Sequence, residues 1–144
     1  MGVDCTLGLF GRTQTALIEV PSSKIANAAN FLRFEESLRM DWLEMMSAFE
    51  SRGKIVISYF LRSESKRASY VLRTDVSPKH IKDHPSLQSV SEVWRMALPF
   101  EAEIGEQFGI QFLGLPKNAG FIDRGIHFDE PPLRKQFVWE GEFF

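Results

Sequence analysis

The chain has 144 residues, 44% hydrophobic and 25% charged, with 17 basic and 19 acidic side chains giving a formal charge of −2. These values fit one domain that buries roughly two thirds of its unfolded surface; they exclude a disordered chain and argue against a nucleic-acid binder, which needs a basic face. Cys5 is the single cysteine, so the chain alone cannot build a disulfide, a thiolate zinc site or a cysteine-held iron–sulfur cluster, and a reducing compartment is expected.

No basic segment followed by an apolar run opens the chain, so no signal peptide is expected. No stretch approaches the ~20 apolar residues that span a bilayer. The first predicted element is a strand over 15–20, ended by Pro21. Ser22 or Ser23 then caps a helix with Ile25, Ala28, Ala29 and Leu32 on one face. From Leu38 the apolar positions Trp42, Met45, Met46 and Phe49 keep a helical spacing, although an alternating strand also fits part of this run. Residues 55–61 are apolar except for Ser58, residues 69–76 form a second strand-like run, and the polar link 63–67 joins them. That pattern predicts an antiparallel hairpin.

Ser89 and Glu92 have capping-box spacing ahead of Val90, Val93, Trp94 and Ala97. Pro99 must end or kink that helix, and a second short helix over 100–108 stops at Gly109. Beyond Ile110 no period survives. Residues 113–144 hold Gly114, Pro116, Gly120, Gly125, Pro131, Pro132 and Gly141, yet also Phe121, Ile122, Ile126, Phe128, Leu133, Phe137, Val138, Trp139, Phe143 and Phe144. Long irregular segments are functional or disordered, and a disordered one lacks such residues. The expectation is an α+β core over 1–112 and an extended arm over 113–144 that docks on a partner chain.

The search for chemistry returns little. His80 and His84 are four residues apart, as metal ligands on a helix face would be, but Pro78 and Pro85 bracket them in a polar link, where solvated histidines are expected; His127 is isolated. Glu101, Glu103 and Glu106 crowd one short helix. They read either as an acid/base or divalent-metal cluster, or as acidic groups near a helix N-terminus that meet a partner's basic residues; the spacing favours the second. No phosphate-binding glycine loop or activated nucleophile is present.

Two stretches carry a resemblance. Ser89-Val90-Ser91-Glu92-Val93-Trp94, followed by Pro99-Phe100-Glu101-Ala102-Glu103-Ile104-Gly105-Glu106-Gln107-Phe108-Gly109-Ile110, is similar to a series in the C subunit of NADH–quinone oxidoreductase, respiratory complex I. Pro132-Leu133-Arg134-Lys135 with Phe137 is similar to that family's Pro-Leu-Arg-Lys run before an aromatic, and Phe112, Gly114 and Pro116 fit its glycine-proline exit. The match covers roughly residues 15–137. Ala102 stands in place of the family's arginine, Glu106 in place of its aspartate, and Gly105 where an aromatic is common, so the chain resembles a divergent member. Losing the arginine removes a five-donor partner for carboxylates.

The resemblance implies a cofactor-free docking subunit of a peripheral arm that carries electrons from NADH through iron–sulfur clusters to quinone, coupled to proton translocation. Its implied partners are the quinone-site subunit and the Fe-S cluster subunits of the same complex. It implies a peripheral place on the cytoplasmic face of the inner membrane, with membrane association only through partners. Related membrane-bound hydrogenases carry similar subunits and remain an alternative. So does an independent soluble ligand-binding domain or enzyme using Glu101, Glu103 and Glu106. The expected fold is α+β, a mostly antiparallel sheet packed by helices. Glu101, Glu103, Arg134 and Lys135 are expected in inter-subunit or arm-fixing ion pairs, and Phe108, Phe137 and Trp139 as aromatic anchors; Gly109, Pro132 and Leu133 complete the two motifs.

Overall fold

The structure, a computed structural model, describes residues 5–12, 15–78, 84–116 and 131–135. Strands β1 (Thr6–Phe10) and β2 (Thr15–Glu19) form an antiparallel pair. Helix α1 (Ile25–Phe34) follows, and then β3 (Trp42–Ser51), β4 (Lys54–Ser63) and β5 (Ala68–Val76). The chain continues through β6 (Ser86–Gln88), α2 (Ala97–Phe108) and β7 (Gln111–Leu113). The main sheet runs β1-β2-β5-β4-β3, antiparallel except for the central parallel pair β2–β5, and β6 and β7 make a small parallel pair of their own. This is the expected α+β fold, a mostly antiparallel sheet packed by helices. β7 crosses the expected core–arm division at 112/113.

Burial follows the pleat. Ile55, Ile57, Tyr59 and Leu61 of β4 and Leu72, Thr74 and Val76 of β5 are all buried, and their pairings (Ile55 with Val76, Tyr59 with Leu72) put them on one face. The inward groups of the helices, Ile25, Ala28, Ala29 and Leu32 of α1 and Ala97, Ile104 and Phe108 of α2, join the same core. The α1 face is the one the sequence pattern predicts. Its cap is not: Ser22 and Ser23 lie in a 3-10 turn, and no side chain caps α1.

The predicted helix over 42–49 is a strand. Its register slips between Leu43 and Met45, a bulge that lets Leu43 and Met46 both face inward although three residues apart. Trp42, Met45 and Phe49 are left outward, 54%, 46% and 45% exposed. The bulge thus writes a helix-like spacing into a strand. The pairing itself is fixed by the turn after it, where Arg52 and Gly53 have φ of +53° and +75°. Two successive positive φ values give the turn whose twist matches an antiparallel hairpin.

The helix predicted over 90–97 is also corrected. Residues 91–93 form one turn, with the Val93 and Trp94 amides both donating to the Val90 carbonyl. α2 starts at Ala97, so Pro99 falls in its first turn, where a backbone N–H has no intrahelical partner to lose. At its far end Gly109 takes the left-handed conformation, φ +75°, and the Gly109 and Ile110 amides both donate to the Gly105 carbonyl. A Cβ at Gly105 would stand 2.8 Å from the Ile110 carbonyl oxygen. An aromatic there is incompatible with this close.

Candidate functional site

α2 and the segments that pack on its two ends hold both charged residues that are buried among the described ones, Glu101 and Arg134. Three carboxylates sit along the helix, and its geometry separates them. Glu101 points inward and is fully buried, whereas Glu103 and Glu106 lie on the exposed side. The three share no site, and among the described residues no group of His, Cys, Asp or Glu is placed to hold a metal ion.

Glu101 binds the segment before the helix. Ser89 Oγ donates to its Oε2 at 2.5 Å and the Val90 amide to its Oε1 at 2.8 Å. These bonds lower the carboxyl pKa, but desolvation dominates and the net shift is upward. Glu101 is therefore an internal brace, and the ion pair expected of it is absent among the described residues. Ser89 serves that brace and not a capping box: its Oγ also accepts from the Ser91 amide at 3.1 Å, while Glu92 is exposed. Across the same layer Trp94, 2% exposed, donates from Nε1 to the Met40 carbonyl at 2.7 Å, tying the start of α2 to the link between α1 and β3. Tyr59 on β4 lies within electrostatic reach of Glu101. Burial first, and the Glu101 charge second, raise its pKa well above the ordinary value.

The C-terminal end of α2 receives residues 131–135. Pro131 seats on Gly109, where an added Cβ would come within 2.5 Å of the Pro131 ring. The Leu133 amide donates to the Gln107 carbonyl at 2.9 Å. Arg134, only 4% exposed, faces Glu50 at the end of β3, its Nε 3.4 Å from Oε2, and the Lys135 amide donates to the same Oε2 at 2.6 Å. His84 Nδ1 meets the Gly109 carbonyl at 3.1 Å, so this exposed histidine is tethered at the ring.

The structure thus places the expected site residues on different terms. Arg134 pairs with Glu50 of the same chain, and Lys135 reaches that carboxylate through its backbone amide and not through the expected ion pair, its side chain being exposed. Phe108 is 5% exposed and spends its ring on the chain's own core, so it is not available as an interface anchor. Pro132 is half-buried and Leu133 is 55% exposed. Phe137 and Trp139, like His80 and His127, lie outside the described residues. Glu50 and Tyr59 were not singled out from the sequence. Glu50 becomes legible only once 42–51 is read as a bulged strand, because it then falls on the inward parity after Met46 and Ala48.

Glu101 is committed to residues 89–90, Glu103 and Glu106 face outward, and Trp42, Met45 and Phe49 stand exposed on the sheet. Comparison with known proteins gives the family. The profile of the family described as respiratory-chain NADH dehydrogenase, 30 Kd subunit, matches residues 18–143, and the chain belongs to that family. A relative from Roseiflexus castenholzii, the C subunit of its NADH-quinone oxidoreductase, is 31% identical over 124 residues, covering 82% of this chain and 67% of that protein. A second, the C/D subunit of the NADH-quinone oxidoreductase of Phocaeicola vulgatus, is 27% identical over 83% of this chain but only 22% of its own length. Among solved structures, a trypsin-resistant fragment of Nqo5 overlays with a TM-score of 0.61 at 17% identity, covering 78% of this chain and 88% of that one. A chain of the membrane-bound sulfane sulfur reductase, an archaeal respiratory membrane complex, overlays at 0.68 and 19% identity, covering 85% and 73%. These two likenesses establish the shared fold.

Proposed function

We propose that the chain is a cofactor-free docking subunit in the peripheral arm of an NADH–quinone oxidoreductase, packed beside the quinone-site subunit and the Fe-S cluster subunits. The family match over 18–143 carries this reading. The structure supports it with a rigid α2 end on which the arm is pinned, and with the exposed row Trp42, Met45 and Phe49 on the sheet face opposite the helices. Apolar groups of that size on a surface mark contacts with other chains. No helix among the described residues is long and apolar enough to cross a membrane. On this reading the partners hold the chain at the cytoplasmic face of the inner membrane. Its contribution to electron transfer is positional: it fixes the geometry of subunits that carry clusters and quinone.

A tagged copy purified gently from its host tests this. NADH-oxidising, cluster-bearing and quinone-site subunits should co-purify in fixed proportion. Recovery alone as a monomer sinks the docking reading, and a nickel–iron subunit in their place moves the chain to a membrane-bound hydrogenase. Met45→Glu should lower the yield of assembled complex while leaving the free chain's unfolding midpoint unchanged.

A further inference from the structure

The Glu101 brace does more than hold a loop. We propose that Glu101, Ser89 and Ser91 form a proton-binding switch, in which a buried carboxyl takes its proton from solvent through two serine hydroxyls and tightens the start of α2 when it does so.

Hydrogen-bond arithmetic carries the argument. Ser89 Oγ is 2.5 Å from Glu101 Oε2 and 2.8 Å from Ser91 Oγ, and it owns one hydrogen. It can donate to only one of the two. With Glu101 ionised, Ser89 donates to the carboxylate and Ser91 donates to Ser89. With Glu101 neutral, the carboxyl O–H donates to Ser89, Ser89 donates to Ser91, and Ser91 turns its hydrogen to water. Passing from the first arrangement to the second moves three protons one step each. Ser89 gives its proton to Glu101, Ser91 replaces it, and solvent replaces that of Ser91. The net change is one proton gained at Glu101, and no water enters the core. The path is complete because Ser89 and Ser91 are partly exposed while Glu101 is wholly buried.

The neutral arrangement suits the site better. It satisfies the carboxyl O–H on Ser89 and leaves the other oxygen to accept from the Val90 amide. The ionised form is a desolvated charge with no cation paired to it among the described residues. Tyr59, the buried titratable group on β4, only adds to the repulsion if it ionises. Asp75 of β5 pairs with Lys54, and Glu50 of β3 takes Arg134. Glu92 and Arg95 in the preceding turns, and Glu103 and Glu106 on α2 itself, are on the outer side. The upward direction of the Glu101 pKa agrees with this geometry. Protonation therefore firms the joint between residues 89–91 and the helix on which the arm is seated.

The test uses the full chain with carboxyl-labelled glutamate, followed by carbon NMR against pH and by isotope-edited infrared after a pH jump. One carboxyl should titrate above the ordinary glutamate range and vanish in Glu101→Gln. In Ser89→Ala its midpoint should rise further, because the ionised form loses a donor. In Ser91→Ala the midpoint should stay near its original value while relaxation after the jump slows several-fold. All glutamates titrating in the ordinary range, or a high-titrating signal that survives Glu101→Gln, overturns the switch. Unchanged relaxation in Ser91→Ala overturns the relay. Should Glu101→Gln fail to fold, the raised midpoint of Ser89→Ala and the slowed relaxation of Ser91→Ala decide the matter alone.

Discussion

Gly109 and Gly53 share a φ of +75°, yet their surroundings differ: nothing stands within 4 Å of a Cβ at Gly53, while a Cβ at Gly109 would press to 2.5 Å from Pro131. Alanine at each position therefore separates backbone strain from the seating of the arm. The left-handed conformation costs an L side chain roughly 1–2 kcal/mol, common to both variants. At Gly109 the obstacle is a proline ring, not the free end of a flexible side chain, so residues 131–135 must lift. The Leu133–Gln107 hydrogen bond goes with them, about 0.5–1.5 kcal/mol, together with part of the Arg134–Glu50 contact. Gly109→Ala should then destabilise by about 3 kcal/mol and Gly53→Ala by about 1.5 kcal/mol, from these terms combined. Urea unfolding followed by tryptophan fluorescence reads the difference as a larger midpoint shift at Gly109. Equal losses in the two variants would refute the seating of the arm on the helix end.

Three further outcomes follow from the same geometry. Glu101 has a raised pKa when folded, so its contribution is fully present below the ordinary carboxylate range and is lost as pH rises through the raised value; Glu101→Gln should flatten that decline, and parallel stability-versus-pH curves for variant and parent would contradict it. Trp94→Phe strands the buried Met40 carbonyl and removes ring volume, costing about 2–4 kcal/mol with loss of near-ultraviolet dichroism; a loss below about 1 kcal/mol rejects the tie, since the stranded carbonyl alone costs roughly that much. Glu50→Ala and Arg134→Ala should each cost about 2–4 kcal/mol, since each leaves a buried charge behind, and the double variant should cost less than their sum; strict additivity would show that the two do not act as a pair.

Much of the fold is legible in the chain because period and pairing agree there. The apolar run at 55–61, the polar link at 63–67 and the run at 69–76 can only bury their inward faces by pairing, and they do. The run at 42–49 misleads for a local reason: the bulge after Leu43 shifts parity by one, so Leu43 and Met46 share the inner face at helical spacing. Pro99 misleads in the other direction. It reads as a helix terminator, but in the first turn it removes an amide that has no partner to lose, and α2 begins upstream of it. At the candidate site, residue types were visible but directions were not. Glu101 and Glu103 are two apart, which places one inside and one outside, and only the packing of α2 on the sheet says which.

Residues 89–90 and 131–135 meet α2 at opposite ends. Glu101 fastens residues 89–90 to the N-terminal half of α2, and the glycine that ends the helix provides the bare surface on which Pro131 rests. Between them the helix has little freedom left: Ile104 and Phe108 are in the core, and the Gln107 carbonyl is taken by Leu133. Residues 131–135 are thus held on the helix end by three contacts, Pro131 on Gly109, Leu133 on Gln107 and Arg134 on Glu50. Arg134 is turned to its own chain, whereas Leu133 beside the helix end and Trp42, Met45 and Phe49 across the sheet stay outward.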